Sequence, residues 1–141
     1  MLDSRELEQL IKDKIHNALP ESNAEQRLNF CIGKGNSPEG IYVYSQDHKY
    51  HYVEVEKGNI LCHEEYISED DILYTSINAI IFQLALDYEK THRQSGKDCR
   101  RILFAKLIEL YSKFGKEFGE RKAAEIEEIL REHPYQDEFF L

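Results

Sequence analysis

At 141 residues with 41% apolar side chains, the chain is sized for a single domain over residues 1–141 that buries about two-thirds of its unfolded surface. No stretch approaches the roughly 18 apolar residues of a membrane span. The formal net charge of −9 argues against nucleic acid and anionic membrane as direct ligands, because both require a positive face.

In chain order, the first predicted element is a helix from about Ser4 to Asn17. Leu7, Leu10, Ile11 and Ile15 recur there at three- and four-residue spacing, and Pro20 ends the pattern. The opening MLDSRELEQLIKDK is charged and lacks the apolar core of a secretory signal, so a cytoplasmic location is expected. Leu28 to Ile32 reads as a short strand. Gly33, Gly35, Pro38 and Gly40 then mark a loop.

Residues 41–64 predict an antiparallel meander, since IYVYS and YHYVEVE are rich in β-branched and aromatic residues. QDHK suits a hairpin loop, and Lys57-Gly58 suits a two-residue turn. Pairing Tyr44 with Tyr50 and Tyr42 with Tyr52 sends Ile41, Val43, Val53, Val55, Ile60 and Cys62 to a core face. Tyr42, Tyr44, Tyr50, Tyr52, Glu54 and His63 then share the other face. Residues 34–71 hold three basic and nine acidic side chains, so this quarter of the chain carries −6 of the −9. Tyrosine offers a large rigid contact area with one polar tip. A helix covering this face is the competing reading, and the coincidence with the acidic segment favours a partner surface.

A long helix is expected from Ser68, whose Ser-Glu-Asp-Asp resembles a capping box, to about His92. Its stripe is Ile72, Leu73, Ile77, Ile80, Ile81, Leu84, Ala85 and Tyr88. Asp98 is placed to cap a second helix that runs to about Phe114 and, apolar on nearly all sides, should be the most buried. Gly115 and Gly119 bracket a break before a last helix, about Glu120 to Glu132. The order implies an α+β domain, an antiparallel β-meander packed against a layer of three to four helices. Arg100 and Arg101 oppose the helix dipole at their positions. An internal ion-pair network with Asp87, Glu89, Arg93 and Asp98 accounts for them, with phosphate binding as the alternative.

Three cysteines, Cys31, Cys62 and Cys99, are odd in number, widely spaced and form no Cys-x-x-Cys. Reduced, mostly buried thiols are therefore expected rather than a disulfide framework or zinc ribbon. His48, His51, Cys62, His63 and Glu64 are close in sequence. In the register above His51 and His63 face opposite ways, so no metal site is expected. There is no GxSxG, GxGxxG, P-loop or HExxH pattern, hence no sign of catalysis or of a cofactor.

Several of these runs resemble one family. Asp71-Ile-Leu-Tyr74 opens the long helix, followed by Asp87-Tyr88-Glu89 with Arg93. Gly96-Lys-Asp98-Cys-Arg100-Arg101-Ile-Leu-Phe104 looks like the Asp-Phe-Arg-Arg-Leu-Leu-Phe core of immunity protein 63. Glu120-Arg121-Lys122, Glu125 to Leu130, and Tyr52 to Gly58, which is similar to the family's Val-Glu-Arg-Gly hairpin, extend the likeness. Thr75 stands where the family tends to have Trp, marking a divergent member. The resemblance implies a non-enzymatic protein of a polymorphic-toxin or contact-dependent growth inhibition system that binds a cognate toxin C-terminal domain in the cytoplasm.

Together these readings give an expectation of inhibition by occlusion. Tyr42, Tyr44, Tyr50, Tyr52, Glu54, Glu56, His63, Glu64 and Glu65 would cover the basic cleft of a toxin, expected to be a nuclease. Two other classes compete with it. One is a small metal-dependent enzyme using His51, His63 and Glu64. The other is an adaptor acting through the tail Phe139-Phe140-Leu141.

Overall fold

The computed structural model describes residues 1–30 and 39–137. Cys31, the loop markers Gly33, Gly35 and Pro38, and the tail Phe139-Phe140-Leu141 lie outside the described residues. The fold is α+β, as the sequence predicts, and the chain divides into two compact units, Met1–Ile80 and Ile81–Leu141. The division falls inside one long helix.

In the first unit, α1 (Ser4–Ala18) begins at a capping box in which Asp3 accepts from the Glu6 N–H and Glu6 accepts from the Asp3 N–H. Leu7, Ile11 and Ile15, one face of that helix, are fully buried. A 3-10 turn, Ala24–Arg27, leads into β1 (Leu28–Asn29). β2 (Gly40–Gln46), β3 (Lys49–Glu56) and β4 (Asn59–Tyr66) follow, in the spatial order β1-β2-β3-β4. β1 runs parallel to β2 while the other pairs are antiparallel, so the expected meander is three strands of a mixed sheet. β1 reaches only Ile41 and Tyr42. Farther along β2, the Ser4 hydroxyl accepts from the Ser45 N–H at 2.9 Å and donates to the Ser45 carbonyl at 3.1 Å, taking the place of a neighbouring strand.

The long helix α2 (Glu69–His92) is capped by Ser68, whose hydroxyl accepts from the Asp71 N–H at 3.0 Å. Ile72, Leu73, Tyr74, Ser76, Ile77 and Ile80 in its first half are all buried. The second unit continues with α3 (Arg100–Ser112) and α4 (Lys116–Glu132), which pack on each other. α3 is not the most buried helix. It buries Phe104, Leu107, Leu110 and Tyr111, while Leu103 and Ile108 are half-buried and Ala105 is exposed. The break before α4 is shorter than expected. Gly115, at φ 142°, ends it, and Gly119 lies inside α4. Among the described residues no helix is long and apolar enough to cross a membrane.

Candidate functional site

The register of the sheet decides which side chains meet, and it differs from the expected one at two points. QDHK is not a four-residue loop. Gln46 pairs with Lys49, and Asp47 and His48 form a two-residue turn with φ of 54° and 60°. This mirror-image turn matches the right-handed twist of the strands. Tyr44 therefore pairs with His51 and Tyr42 with Val53, one residue away from the predicted pairing. The turn at Lys57-Gly58 is as predicted, but Val55 pairs with Ile60 and Glu54 with Cys62, so Leu61 is the extra residue of a β-bulge. Each one-residue shift turns a strand's side chains over relative to its neighbour.

As a result, the four tyrosines do not share a face. Tyr42 and Tyr44 lie with Val53 and Val55 in one buried cluster, while Tyr50 and Tyr52 point to the opposite side. Nor are they a surface: Tyr42, Tyr44, Tyr50 and Tyr52 are 4%, 8%, 1% and 5% exposed. The Tyr50 hydroxyl accepts from the Leu2 N–H at 2.9 Å, and the Tyr52 hydroxyl donates to Glu54 at 2.5 Å. Burial, and then the Glu54 carboxylate, raise the Tyr52 pKa well above the usual phenol value. The expected phenol-lined outer face is thus no free surface, since the four rings are buried, two on each side of the sheet.

The bulge between β3 and β4 brings together three side chains that the predicted register kept apart. His51 and His63 lie on one face, contrary to expectation, with Glu65 rather than Glu64 beside them. His51 Nδ1 is 3.0 Å from His63 Nε2 and 3.9 Å from Glu65 Oε1. His51 Nε2 is 2.9 Å from the Gln46 carbonyl. A carbonyl only accepts, so this contact assigns the proton to Nε2 and leaves Nδ1 bare. Tyr44 stacks on the His51 ring with centroids 4.9 Å apart and planes within 9°. Lys49 Nζ holds Glu65 Oε2 at 2.9 Å, and this ion pair lowers the Glu65 pKa.

β4 is the last strand of the sheet order and the most exposed of the four. His63, Glu64 and Glu65 are exposed, as is Glu56 at the end of β3, while Glu54 is half-buried. Glu64 accepts from Cys62 at 3.3 Å and also from the Tyr66 hydroxyl. Burial and then Glu64 push the half-buried Cys62 thiol up to about 11, so it is no reactive thiolate. Cys99 is likewise half-buried rather than buried. Sequence reasoning missed the apolar part of this edge. Ile60, assigned to the core face, is 64% exposed, Leu61 is 61% exposed and Ile67, just past the strand, is 74% exposed. The bulge throws Leu61 out of the ladder, and no single-sequence pattern marks it.

In the second unit, the predicted ion-pair cluster resolves into separate pairs. Arg93 makes two 2.9 Å bonds to Glu89, and Asp87 accepts from Gln83 at 2.9 Å rather than from an arginine. Arg100 donates to Asp98, with Nη2 2.8 Å from Oδ2, and to the carbonyls of His133 and Pro134 at 2.9 Å. Arg101 turns to Asp137, which the prediction left out, and lies 4.1 Å over the Tyr135 ring. Asp98 also accepts from the Arg100 and Gln136 N–H groups. Two cations at a helix N-terminus are thus offset by a buried carboxylate and by the segment after α4.

Comparison with the curated proteins and with the solved structures gives no match. The profile of the family described as Immunity protein 63 does match, over residues 46–128. That span is more than half of the chain and runs from the β2–β3 turn, through the exposed edge strand and the Asp98–Arg100 pair, into α4. On a match of that extent, the chain belongs to the immunity protein 63 family.

Proposed function

We propose that the protein neutralises a cognate toxin domain in the cytoplasm without chemistry of its own, by setting the β4 edge against a basic surface of the toxin. The observation that carries this reading is the composition of that edge. Exposed Ile60, Leu61 and Ile67 flank exposed His63, Glu64 and Glu65 on the last strand of the sheet. An edge strand offers unpaired N–H and C=O groups to an added strand. Charges alone guard such an edge against self-pairing, but three exposed aliphatic side chains beside them work against that guard and supply the apolar anchors of an interface.

The local charge names the partner's chemistry. Nuclease clefts are positive because they hold phosphates, so a segment carrying −6 is complementary to one. The toxin is accordingly a nuclease domain, of the kind used in contact-dependent growth inhibition, and its substrate cleft is what the edge occludes. Glu56, Glu64 and Glu65 steer the encounter, while Ile60 and Leu61 hold the complex. The buried tyrosines keep the sheet rigid and do not touch the toxin.

The test is the association rate with the cognate toxin domain. Reversing Glu56, Glu64 and Glu65 to Lys is expected to slow association at low salt by about 10-fold or more, with the difference closing at high salt. Ile60→Asp with Leu61→Asp is expected to raise the dissociation rate instead. Unchanged association after the three reversals would overturn this mode of binding.

A further inference from the structure

We infer that His51, His63 and Glu65 form a binding site for a divalent transition-metal ion of the zinc class. One ligand atom from each residue lies within 4.8 Å of the other two, across adjacent strands of a sheet. Two nitrogens bonded to one tetrahedral zinc at 2.0–2.1 Å stand about 3.3 Å apart, and His51 Nδ1 and His63 Nε2 are already at 3.0 Å. Closing the site needs only small turns of the exposed His63 and Glu65 side chains, because His51 is held in place.

What holds His51 is the arrangement found around ligating histidines. Its Nε2–H points at the Gln46 carbonyl, which fixes the tautomer and leaves the Nδ1 lone pair facing the site. Tyr44 stacked on the ring fixes its plane. The ring itself is buried, at 8% exposure, so the first ligand is pre-positioned. Glu65 is oriented from the other side. Lys49 takes Oε2, and Oε1 is left toward His51. Without metal, His63 Nε2 donates its proton to His51 Nδ1. With metal, the proton resides on His63 Nδ1 and the ion occupies the space between the rings.

The donor set selects the ion. Two imidazoles and a carboxylate suit zinc and its first-row neighbours, whereas magnesium and calcium prefer all-oxygen shells. Three protein ligands leave a fourth position, and the exposure of His63 and Glu65 turns it toward solvent. The ion would cross-link β3 to β4 close to the β2–β3 turn, at the end of the edge strand away from the Lys57-Gly58 hairpin. The site shares His63 and Glu65 with the edge proposed to meet the toxin. All three ligands belong to this chain, so zinc binding is read on the purified protein alone whether or not that edge holds the toxin.

Equilibrium dialysis of the purified full chain against zinc chloride, followed by metal analysis, tests this. The expected result is one ion per chain, with affinity lowered at least about 10-fold in His63→Ala and in Glu65→Gln, and unchanged in Glu64→Gln and His48→Ala. Both affected positions are exposed, so these variants are expected to fold. Nitrogen-15 spectra of the imidazoles supply a readout that needs no substitution, with the His51 Nδ1 resonance shifting on zinc addition. Absence of zinc binding, or binding that persists undiminished in His63→Ala, would overturn the assignment.

Discussion

The Arg100 guanidinium grips the Asp98 carboxylate, Nη2 to Oδ2 at 2.8 Å and Nε to both oxygens at 3.2 Å, with the Asp98 side chain fully buried. The arginine, ahead of the burial that opposes it, holds the Asp98 carboxyl well below the usual range. Asp98→Asn leaves that guanidinium short of its anion and is expected to cost about 2–4 kcal/mol at neutral pH. A depressed carboxyl contributes stability in full above its unfolded value of about 3.9, and loses it as pH falls through the lower folded value. Thermal melts of the native chain should therefore show a drop below about pH 4 that the variant lacks. Parallel pH curves for the two proteins would sink the assignment.

Arg101 makes fewer bonds, and they are of lesser consequence. Its two bonds to Asp137, 2.9 and 3.1 Å long, join side chains that are 45% and 32% exposed. Exposed pairs contribute about 0–1 kcal/mol, and the stacking on Tyr135 adds about 0.5–1 kcal/mol. Arg101→Ala should thus cost under about 2 kcal/mol. Arg100→Ala should cost more, because it also releases the His133 and Pro134 carbonyls and strands the Asp98 charge. Denaturant titration of both variants separates the cases, and equal losses would contradict the ranking.

His48 sits at φ 60° on the second position of the β2–β3 turn, and is exposed. A left-handed conformation costs a side chain-bearing residue about 1 kcal/mol that glycine does not incur. His48→Gly converts the turn to Asp-Gly and is expected to stabilise the chain by about 0.5–1 kcal/mol, read as a higher denaturation midpoint. A lower midpoint would mean that His48 does something else in the turn.

That turn also explains where the sequence was legible and where it was not. Lys57-Gly58 carries the glycine that marks a two-residue turn, and it is placed correctly. Asp47-His48 has none, and reading QDHK as a loop displaced the pairing of Tyr42 and Tyr44 by one residue. The helices were easier, because Leu7, Ile11 and Ile15 or Ile72, Leu73 and Ile77 repeat at helical spacing and Ser68 announces a start. Acidic Glu64 and Glu65 could be named from charge, whereas exposed Ile60 and Leu61 could not, since their exposure depends on a bulge and on the strand's place at the edge. His51 and His63 meet only through the shift at the Leu61 bulge, which no local pattern announces. Asp137 lies 36 residues from Arg101, beyond any local pattern.

Gly119 faces Ser112, the last residue of α3. It is buried in the first turn of α4, and a Cβ there would stand 2.0 Å from Ser112 Oγ and 3.1 Å from Ser112 Cα. Glycine to alanine inside a helix ordinarily gains up to about 1 kcal/mol from propensity. Here the hydroxyl can rotate away only by giving up its 2.7 Å bond to the Ile108 carbonyl, and the backbone contact persists after it has moved. Overpacking of this kind costs about 1–3 kcal/mol, so Gly119→Ala should destabilise the chain on balance. Adding Ser112→Gly removes the side chain in the way but not the backbone contact, and should recover part of the loss in a double-mutant cycle. A Gly119→Ala variant that melts higher than the native chain would show that α3 and α4 separate at no cost, and that their close approach is not what the glycine is for.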